Sequence, residues 1–205
     1  MLKLLSLGLL LLSSVGVLAQ RPPALDVYTN PDGAFQFSYP ENYELLFGER
    51  ILKATQGRGA GIPVCDFSTA LVCVIYPIEK LGHDKVEAAG FSVDAVPGLT
   101  AESDCLAYAD QLSRPSGEHS QPLSLTLNRS AFRSVSVKRT AAGHSQSSDL
   151  YITFQKDRCY ELRIAISLSD ESSGLQRSSS KSIESADAEN ARGALKLVLS
   201  TFGFR

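Results

Sequence analysis

The chain has 205 residues, of which 43% are hydrophobic and 20% are charged, and its formal net charge is −2 at pH 7. This length and composition are typical of a single globular domain. The small acidic excess provides no basic field for nucleic acid or for anionic lipid, so the sequence predicts no nucleic-acid partner.

Residues 1–19 have the features of a cleavable signal peptide. One cation, Lys3, precedes a leucine-rich run over residues 4–12, which is shorter than the ~20 apolar residues of a membrane-spanning helix. Val17 and Ala19 then occupy positions −3 and −1 of a signal peptidase site, so the mature chain is predicted to begin at Gln20.

Cleavage at this site would remove Lys3 and change the formal net charge from −2 to −3. We therefore expect residues 20–205 to form one exported domain, either periplasmic or secreted. The same reasoning predicts no stable membrane insertion after signal cleavage.

Alternating apolar residues predict a series of β-strands in the exported part. An Asn-Pro-Asp-Gly turn at residues 30–33 precedes the first strand. The last strand is the clearest, because Tyr160 and Leu162 lie on one face while Cys159 and Glu161 lie on the other. Strands are predicted around residues 35–39, 71–76, 91–96, 123–127, 135–137, 150–154 and 160–168.

Two amphipathic helices are predicted in addition to the strands. Thr100 is a suitable N-cap for the first helix, in which Cys105 and Ala109 share one face. The second helix is predicted from about Ala186, where apolar residues recur at spacings of three and four. The serine-rich stretch at residues 170–185 is predicted to be a loop.

Four cysteines remain in the exported part, and four cysteines allow three disulfide connectivities. The seven residues between Cys65 and Cys73 can turn as a hairpin and place both cysteines on adjacent strands, which favours the pairs Cys65–Cys73 and Cys105–Cys159. The loop-closure entropy of the two bridges corresponds to roughly 2.6 and 4.2 kcal/mol. Since Cys159 points away from the Tyr160 face, the sequence predicts an α+β fold in which an antiparallel sheet is flanked by helices on both faces.

Several short motifs give the chain a family resemblance. The run at residues 35–40, Phe-Gln-Phe-Ser-Tyr-Pro, together with Tyr43, resembles the opening of PsbP-like domains, and residues 199–204 are similar to their terminal helix and its Ser-Phe-x-Phe end. Residues 91–93 and 159–162 look like those of exported soil-bacterial proteins that share this opening. The resemblance implies an antiparallel sheet between helices. It transfers no activity, because the fold serves a photosystem accessory protein, a Ran-binding transport factor and other roles.

Catalytic and metal-binding residues are not predicted. The three histidines, His83, His119 and His144, show no ligand spacing, and no Cys-x-x-Cys pair is present. No position matches the metal-binding residues of the photosystem protein, so no metal or cofactor is expected. The most suggestive cluster, residues 143–147 around His144, lacks the Gly-x-Ser-x-Gly elbow and is predicted to be a hairpin loop.

Three further motifs receive no assignment as functional sites. The glycine-rich residues 57–61 lack the Lys-Ser/Thr ending of a phosphate loop. Residues 128–130 form an Asn-x-Ser glycosylation sequon, which matters only in a eukaryotic secretory pathway. The carboxylates Asp170 and Glu171 lie in the predicted serine-rich loop, where solvated charge is expected.

Two functional hypotheses follow from these observations. The first is an exported, disulfide-stabilised, non-catalytic binding or accessory domain with an unidentified protein or small-molecule partner. The alternative is an extracytoplasmic hydrolase, which requires His144 or His83 to lie beside a serine or an aspartate.

Overall fold

The structure is a computed structural model that describes residues 23–55, 63–66, 68–81, 86–113, 122–141, 143–169 and 185–205. The signal peptide prediction for residues 1–19 lies outside these ranges. In the described part the strands are β1 (Leu25–Thr29), β2 (Phe35–Pro40), β3 (Glu44–Phe47), β4 (Ala70–Ile75), β5 (Val86–Ala95), β6 (Leu123–Leu127), β7 (Ser130–Ala141), β8 (His144–Gln155), β9 (Arg158–Ser169) and β10 (Gly203–Phe204). The helices are α1 (Glu49–Thr55), α2 (Glu102–Leu112) and α3 (Ala186–Thr201), and a 3₁₀ turn spans Ile78–Lys80.

The strands form two antiparallel sheets. Seven of them form the main sheet in the order β3-β4-β5-β9-β8-β7-β6, and three form a small sheet in the order β1-β2-β10. The antiparallel α+β architecture predicted from the sequence is confirmed, but the strand predicted at residues 35–39 is β2 of the small sheet and not part of the main sheet. Periodicity shows that one face of a strand is buried, and it does not show which sheet the strand joins.

One face of the main sheet, which we call the aromatic face, packs against α3 and the small sheet. Tyr160, Leu162, Ile164 and Ile166 of β9 lie on this face and are at most 1% exposed. The rings of Phe37 and Phe91 are 5.4 Å apart between centroids. Other buried contributors are Phe35, Leu195, Val198 and Phe202. This face holds the largest apolar cluster of the described residues.

The opposite face carries both disulfides, and we call it the disulfide face. Cys65 pairs with Cys73 at a Cα separation of 6.2 Å, and Cys105 pairs with Cys159 at 5.4 Å. These are the pairs that the spacing favoured, and two disulfides are typical of an oxidising, extracytoplasmic compartment. Cys105 of α2 packs with Cys159 on this face, while α3 packs with the Tyr160 face, so the two helices lie on opposite sides of β9.

Cys65 does not lie on a strand, which corrects the hairpin prediction. It belongs to residues 63–66 and 68–69, which we call the cover segment because they cross the disulfide face. Val64 is 3% exposed, and the carbonyl oxygen of Pro63 accepts a hydrogen bond from Gln146 Nε2 on β8 at 2.8 Å. The disulfide to Cys73 ties the same segment to β4. The cover segment therefore extends across the disulfide face from β4 to β8.

Helix starts differ from the predicted ones in one case. The N-cap of α2 is Ala101, without a side-chain hydrogen bond, and not Thr100. The N-cap of α3 is Ser185, whose side chain accepts a hydrogen bond from the backbone N–H of Ala188 at 3.2 Å. Ser185, the last residue of the predicted serine-rich loop, is thus a helix cap. The short elements α1 and β3 were not predicted, since seven and four residues show too little periodicity.

Gly90 of β5 provides a test of the cover segment. A Cβ atom at this position would lie 2.9 Å from Val64 Cγ2 and 3.2 Å from the backbone oxygen of Val74. Gly90→Ala should therefore push the segment off the sheet and lower the free energy of unfolding by about 1–3 kcal/mol. Urea unfolding of the purified variant measures this loss.

Gly193→Ala is the matched control for that experiment. Gly193 lies in α3, and a Cβ atom there would meet nothing within 4 Å. Alanine should raise the unfolding free energy by up to about 1 kcal/mol, because it is the better helix former. Equal effects of the two substitutions would contradict the close contact between the cover segment and β5.

Candidate functional site

Buried polar residues form a stripe along the middle of the disulfide face. The apolar residues of this face form two separate clusters, one around Cys65–Cys73 and one around Cys105–Cys159. Between them, on β5 and β9, Asp94 pairs with Glu161 and Ser92 pairs with Arg163 in the sheet register. Buried polar side chains on this face are Ser92, Asp94, Gln146, Ser148, Glu161 and Ser167. These residues occupy inward-facing positions of their strands. Apolar residues at the same positions would join the two clusters into one continuous apolar core.

Glu161 and Arg163 form an ion pair with little access to water. Arg163 donates from Nε and Nη2 to Glu161 Oε1 at 3.0 and 2.5 Å, and the side chains are 11% and 2% exposed respectively. The other carboxylate oxygen of Glu161 accepts a hydrogen bond from Tyr108 Oη of α2 at 2.7 Å. Burial raises the pKa of the Tyr108 phenol, and the adjacent Glu161 charge raises it further. Tyr108 is thereby held as a neutral donor to Glu161.

Asp94 is the second carboxyl group of the stripe and is 2% exposed. Its oxygens accept hydrogen bonds from Ser92 Oγ at 2.7 Å and from Thr69 Oγ1 of the cover segment at 3.0 Å. Burial raises the pKa of Asp94 to about 6, against the opposing effect of these hydrogen bonds and of Arg163. The Glu161 charge adds to the increase, so Asp94 is more readily protonated than an ordinary aspartate.

Asp66 and Arg139 lie at the edge of the stripe. Asp66, in the cover segment, accepts a hydrogen bond from Ser68 Oγ at 2.6 Å. Burial opposes ionisation of Asp66, but the Ser68 hydrogen bonds and the Arg163 and Arg139 charges lower its pKa overall. Asp66 and Tyr108 are half-buried and Arg139 is exposed, so these three residues connect the buried charges to solvent.

We refer to Asp66, Asp94, Tyr108, Glu161 and Arg163 as the charged cluster. Burial alone would lower the pKa of the Arg163 guanidinium, but the Glu161 and Asp94 charges raise it overall. One guanidinium thus faces several carboxyl groups, and it remains charged. Such a cluster can present fixed charges and hydrogen-bonding groups to a partner at its edge. It contains no serine or cysteine nucleophile next to a histidine base.

His144 does not lie in a hairpin loop, which corrects the prediction for residues 143–147. It begins β8, because its backbone pairs with both Ala141 of β7 and Ser169 of β9, and Gly143 supplies the turn with a φ of 80°. His144 Nδ1 lies 2.9 Å from Glu87 Oε2, and Ser167 Oγ donates to the same oxygen at 3.4 Å. A hydrolytic triad needs the histidine between the serine and the acid, whereas here the glutamate lies between them.

The sequon asparagine has a structural partner. Asn128 Nδ2 donates to the backbone oxygens of Ser200 and Phe202 at 2.8 and 2.6 Å. The side-chain amide that a glycan would modify therefore caps the end of α3. The glycine-rich residues 57–61, the histidines His83 and His119, and the carboxylates Asp170 and Glu171 lie outside the described residues.

Within the described ranges, no group of three or more histidine, cysteine, aspartate or glutamate side chains is arranged to hold a metal ion. Among the helices of the same residues, none is long and apolar enough to cross a membrane.

The sequence carries a partial signal for the charged cluster. Ser92 and Asp94 alternate with apolar residues in one predicted strand, as Glu161 and Arg163 do in another. Glu161 and Arg163 share the inward face of their strand with Cys159, a placement that suggests a buried ion pair. Only the register of β5 against β9 places Asp94 opposite Glu161.

Comparisons with known proteins give structural similarity alone. No family model and no curated protein matches the chain. Solution coordinates of cyanobacterial PsbP (CyanoP) from Synechocystis sp. PCC 6803 are 9% identical with a TM-score of 0.44, and the match covers 91% of this chain and 96% of that chain. LpqN, involved in cell envelope biogenesis of Mycobacterium tuberculosis, is 9% identical with a TM-score of 0.46, and the match covers 88% of this chain and 90% of that chain.

A crystal structure from Bacteroides thetaiotaomicron VPI-5482 is 12% identical with a TM-score of 0.42, and the match covers 87% of this chain. The chain spans about half of that protein, 48% of its length. These TM-scores all lie below 0.5, and the comparisons show no family for this chain.

Removing the positive charge of Arg163 tests whether this residue neutralises the buried carboxylate of Glu161. Arg163→Met leaves Glu161 buried without its ion-pair partner, which should lower the free energy of unfolding at pH 7 by roughly 3–5 kcal/mol. Adding Glu161→Gln in the same chain should restore much of this loss, because the unpaired charge is then gone. Urea unfolding of both variants measures the difference.

Arg133→Met is the control on the same face. Arg133 pairs with Asp110 at 2.8 Å, but their side chains are 34% and 49% exposed, so its removal should cost about 1 kcal/mol or less. Similar losses for Arg133→Met and Arg163→Met, or no recovery in the double variant, would show that the Glu161–Arg163 pair is not the buried charge balance described above.

Proposed function

We propose that the chain is an exported, disulfide-stabilised domain that acts by binding a protein or a small molecule, without catalysis. The proposed contact surface is the edge of the charged cluster on the disulfide face. Asp66, Tyr108 and Arg139 form the centre of this contact surface. The proposal includes export by cleavage before Gln20, with residues 20–205 as one domain in the periplasm or outside the cell. A PsbP-like sandwich with helices on both faces is the proposed framework.

One observation carries this proposal. The charged cluster lies between two apolar clusters, and it replaces apolar packing at the centre of a sheet face. Buried ion pairs lose solvation that apolar residues of similar volume do not lose, so stability alone does not account for charges at this position. Groups of buried, mutually perturbed ionisable residues are candidates for functional sites. The half-buried and exposed edge is the part that a partner could reach.

The binding proposal is tested by proximity labelling in the organism that makes the protein, with a peroxidase fused to the chain. Asp66→Asn with Arg139→Gln removes one negative and one positive charge from the edge and keeps a polar side chain at each position. Labelling of a partner by the unmodified chain should be lost in this variant. Once a partner is purified, its Kd should rise by about tenfold or more, as for central interface residues.

The matched control is Glu189→Gln, which changes one exposed charge on α3 at the opposite side of the sheet. Labelling and Kd should be unchanged in this variant, and all three proteins should be folded at the temperature of the labelling experiment. If labelling of the partner is lost only in Glu189→Gln, or is lost in neither variant, the binding surface lies away from the charged cluster.

A hydrolase remains the second candidate because of one specific observation. Asp94 and Glu161 are opposite each other in the sheet, but Asp94 is readily protonated, while Glu161 is paired with Arg163. Two carboxyl groups with different environments are the usual arrangement for a general acid and a general base. Both side chains are 2% exposed, so a substrate would first have to displace what covers them.

A broad esterase, peptidase and glycosidase screen tests this alternative. The unmodified chain, Glu161→Gln and His144→Ala should all give rates equal to a blank without protein. Turnover by the unmodified chain that disappears in His144→Ala at an unchanged melting temperature, or in Glu161→Gln while that variant is still folded at the assay temperature, would replace the binding proposal with the hydrolase.

A further inference from the structure

Strand β6 forms one edge of the main sheet and carries no charged residue. Among the described residues it pairs only with β7, so its other side is open. Of the other edge strands in these ranges, β1 carries Asp26, β3 carries Glu44 and β10 has only two residues. Natural proteins keep edge strands short or place charges on them, which prevents pairing with another chain. Strand β6 lacks both protections over its five residues, Leu123–Leu127.

Backbone groups of Ser124 and Thr126 point to the open side of β6. Residues 128 and 129 form a two-residue turn, with φ values of 44° and 72°, so the strand residues that flank this turn are hydrogen-bonded to each other. Bonded and non-bonded pairs alternate along an antiparallel ladder. Every second residue counted back from Leu127 therefore bonds to β7, whereas Ser124 and Thr126 direct their N–H and C=O groups to the edge.

The side chains of β6 alternate between an apolar and a polar side. Leu125 and Leu127 pack against the apolar cluster of the aromatic face, and Leu123 lies on the same side but is 66% exposed. Ser124 and Thr126 lie on the opposite side and are exposed. The pattern of apolar and hydroxyl residues is symmetric about Leu125. A second β6 that runs antiparallel can therefore place leucine against leucine and hydroxyl against hydroxyl.

We propose that β6 pairs with β6 of a second copy of this chain, which joins the two main sheets into one antiparallel sheet across a two-fold axis. Leu125 lies at the axis, and Ser124 of each copy lies opposite Thr126 of the other. This register forms four backbone hydrogen bonds, because each of the two Ser124–Thr126 pairs exchanges two. Leu123 of each copy packs against Leu127 of the other, so the two apolar clusters continue across the interface.

Symmetry and charge favour a second copy as the occupant of this edge. A two-fold contact is self-complementary, and a second copy always presents the matching alternation, whereas a strand of another protein does so only if its own sequence has it. Pairing through β6 brings no charge of either strand to the interface, unlike pairing through β1 or β3, which would bring Asp26 or Glu44 from both copies. A pair of five-residue strands is smaller than a standard interface of ~1,600 Å², so we expect a weak dimer. It goes beyond the proposed function, because it does not involve the charged cluster.

Sedimentation equilibrium of the exported chain at low ionic strength tests this dimer. The weight-average mass should rise from that of a monomer towards that of a dimer as the protein concentration is raised. Ser124→Lys with Thr126→Lys places cations opposite each other across the axis, and Ser124→Glu with Thr126→Glu places anions there. Each double variant alone should raise the Kd several-fold or more, because like charges directly opposite are destabilising. An equal mixture of the two should recover association, because each lysine then faces a glutamate.

Amide exchange of the unmodified chain, followed by NMR, locates the interface. The amide N–H groups of Ser124 and Thr126 are open to water in the monomer and hydrogen-bonded in the dimer, so their protection should rise with protein concentration. The amides of Leu125 and Leu127 bond to β7 in both states and should change much less. This measurement needs no substitution, so it remains decisive if a double variant fails to fold.

Val27→Lys is the matched control. Val27 is 64% exposed on β1, so the substitution adds a lysine to the edge strand of the other sheet, and the Kd should not change. The proposal is overturned if the chain stays monomeric at every concentration, a result that would leave β6 to a strand of another protein. It is also overturned if Val27→Lys weakens the dimer as the β6 variants do, if the mixture of folded variants does not recover association, or if the Ser124 and Thr126 amides show no concentration dependence.

Discussion

The architecture depends on β9, which is the middle strand of the main sheet and is buried on both faces. Its alternation sends Tyr160, Leu162 and Ile164 into the aromatic face and sends Cys159, Glu161 and Arg163 into the disulfide face. A shift of one residue in the pairing of this strand would exchange the two sets, placing charges in the largest apolar cluster. The register of β9 against β5 and β8 therefore fixes the core and the charged cluster together.

The disulfide face combines covalent and polar constraints. One bridge ties the cover segment to β4, and the other ties α2 to β9, so the two elements that border the charged cluster are both cross-linked to the sheet. In addition, Tyr108 of α2 and Thr69 of the cover segment donate hydrogen bonds to the two central carboxyl groups. Apolar packing is weaker in the middle of this face. The cover segment and α2 are held in place by the disulfides and these hydrogen bonds, so their positions do not depend on that packing.

The contacts of His144 differ from those of a hydrolytic triad for a geometric reason. His144 and Ser167 both contact Glu87, an order in which the histidine cannot take a proton from the serine. In the charged cluster the polar atoms mainly contact one another, and access from solvent is limited to the edge at Asp66, Tyr108 and Arg139. Fixed charges at such an edge suit recognition of a complementary partner.

The sequence by itself determined the features that depend on local spacing. Alternation identified β9, three- and four-residue periodicity identified α3, and the cysteine spacing favoured the observed disulfides. Tertiary structure alone decided that β2 joins a separate sheet, that His144 begins a strand and that Asp94 lies opposite Glu161. The physical reason is that local periodicity reports which side of an element is buried, whereas sheet membership, register and shared charge depend on partners distant in the chain.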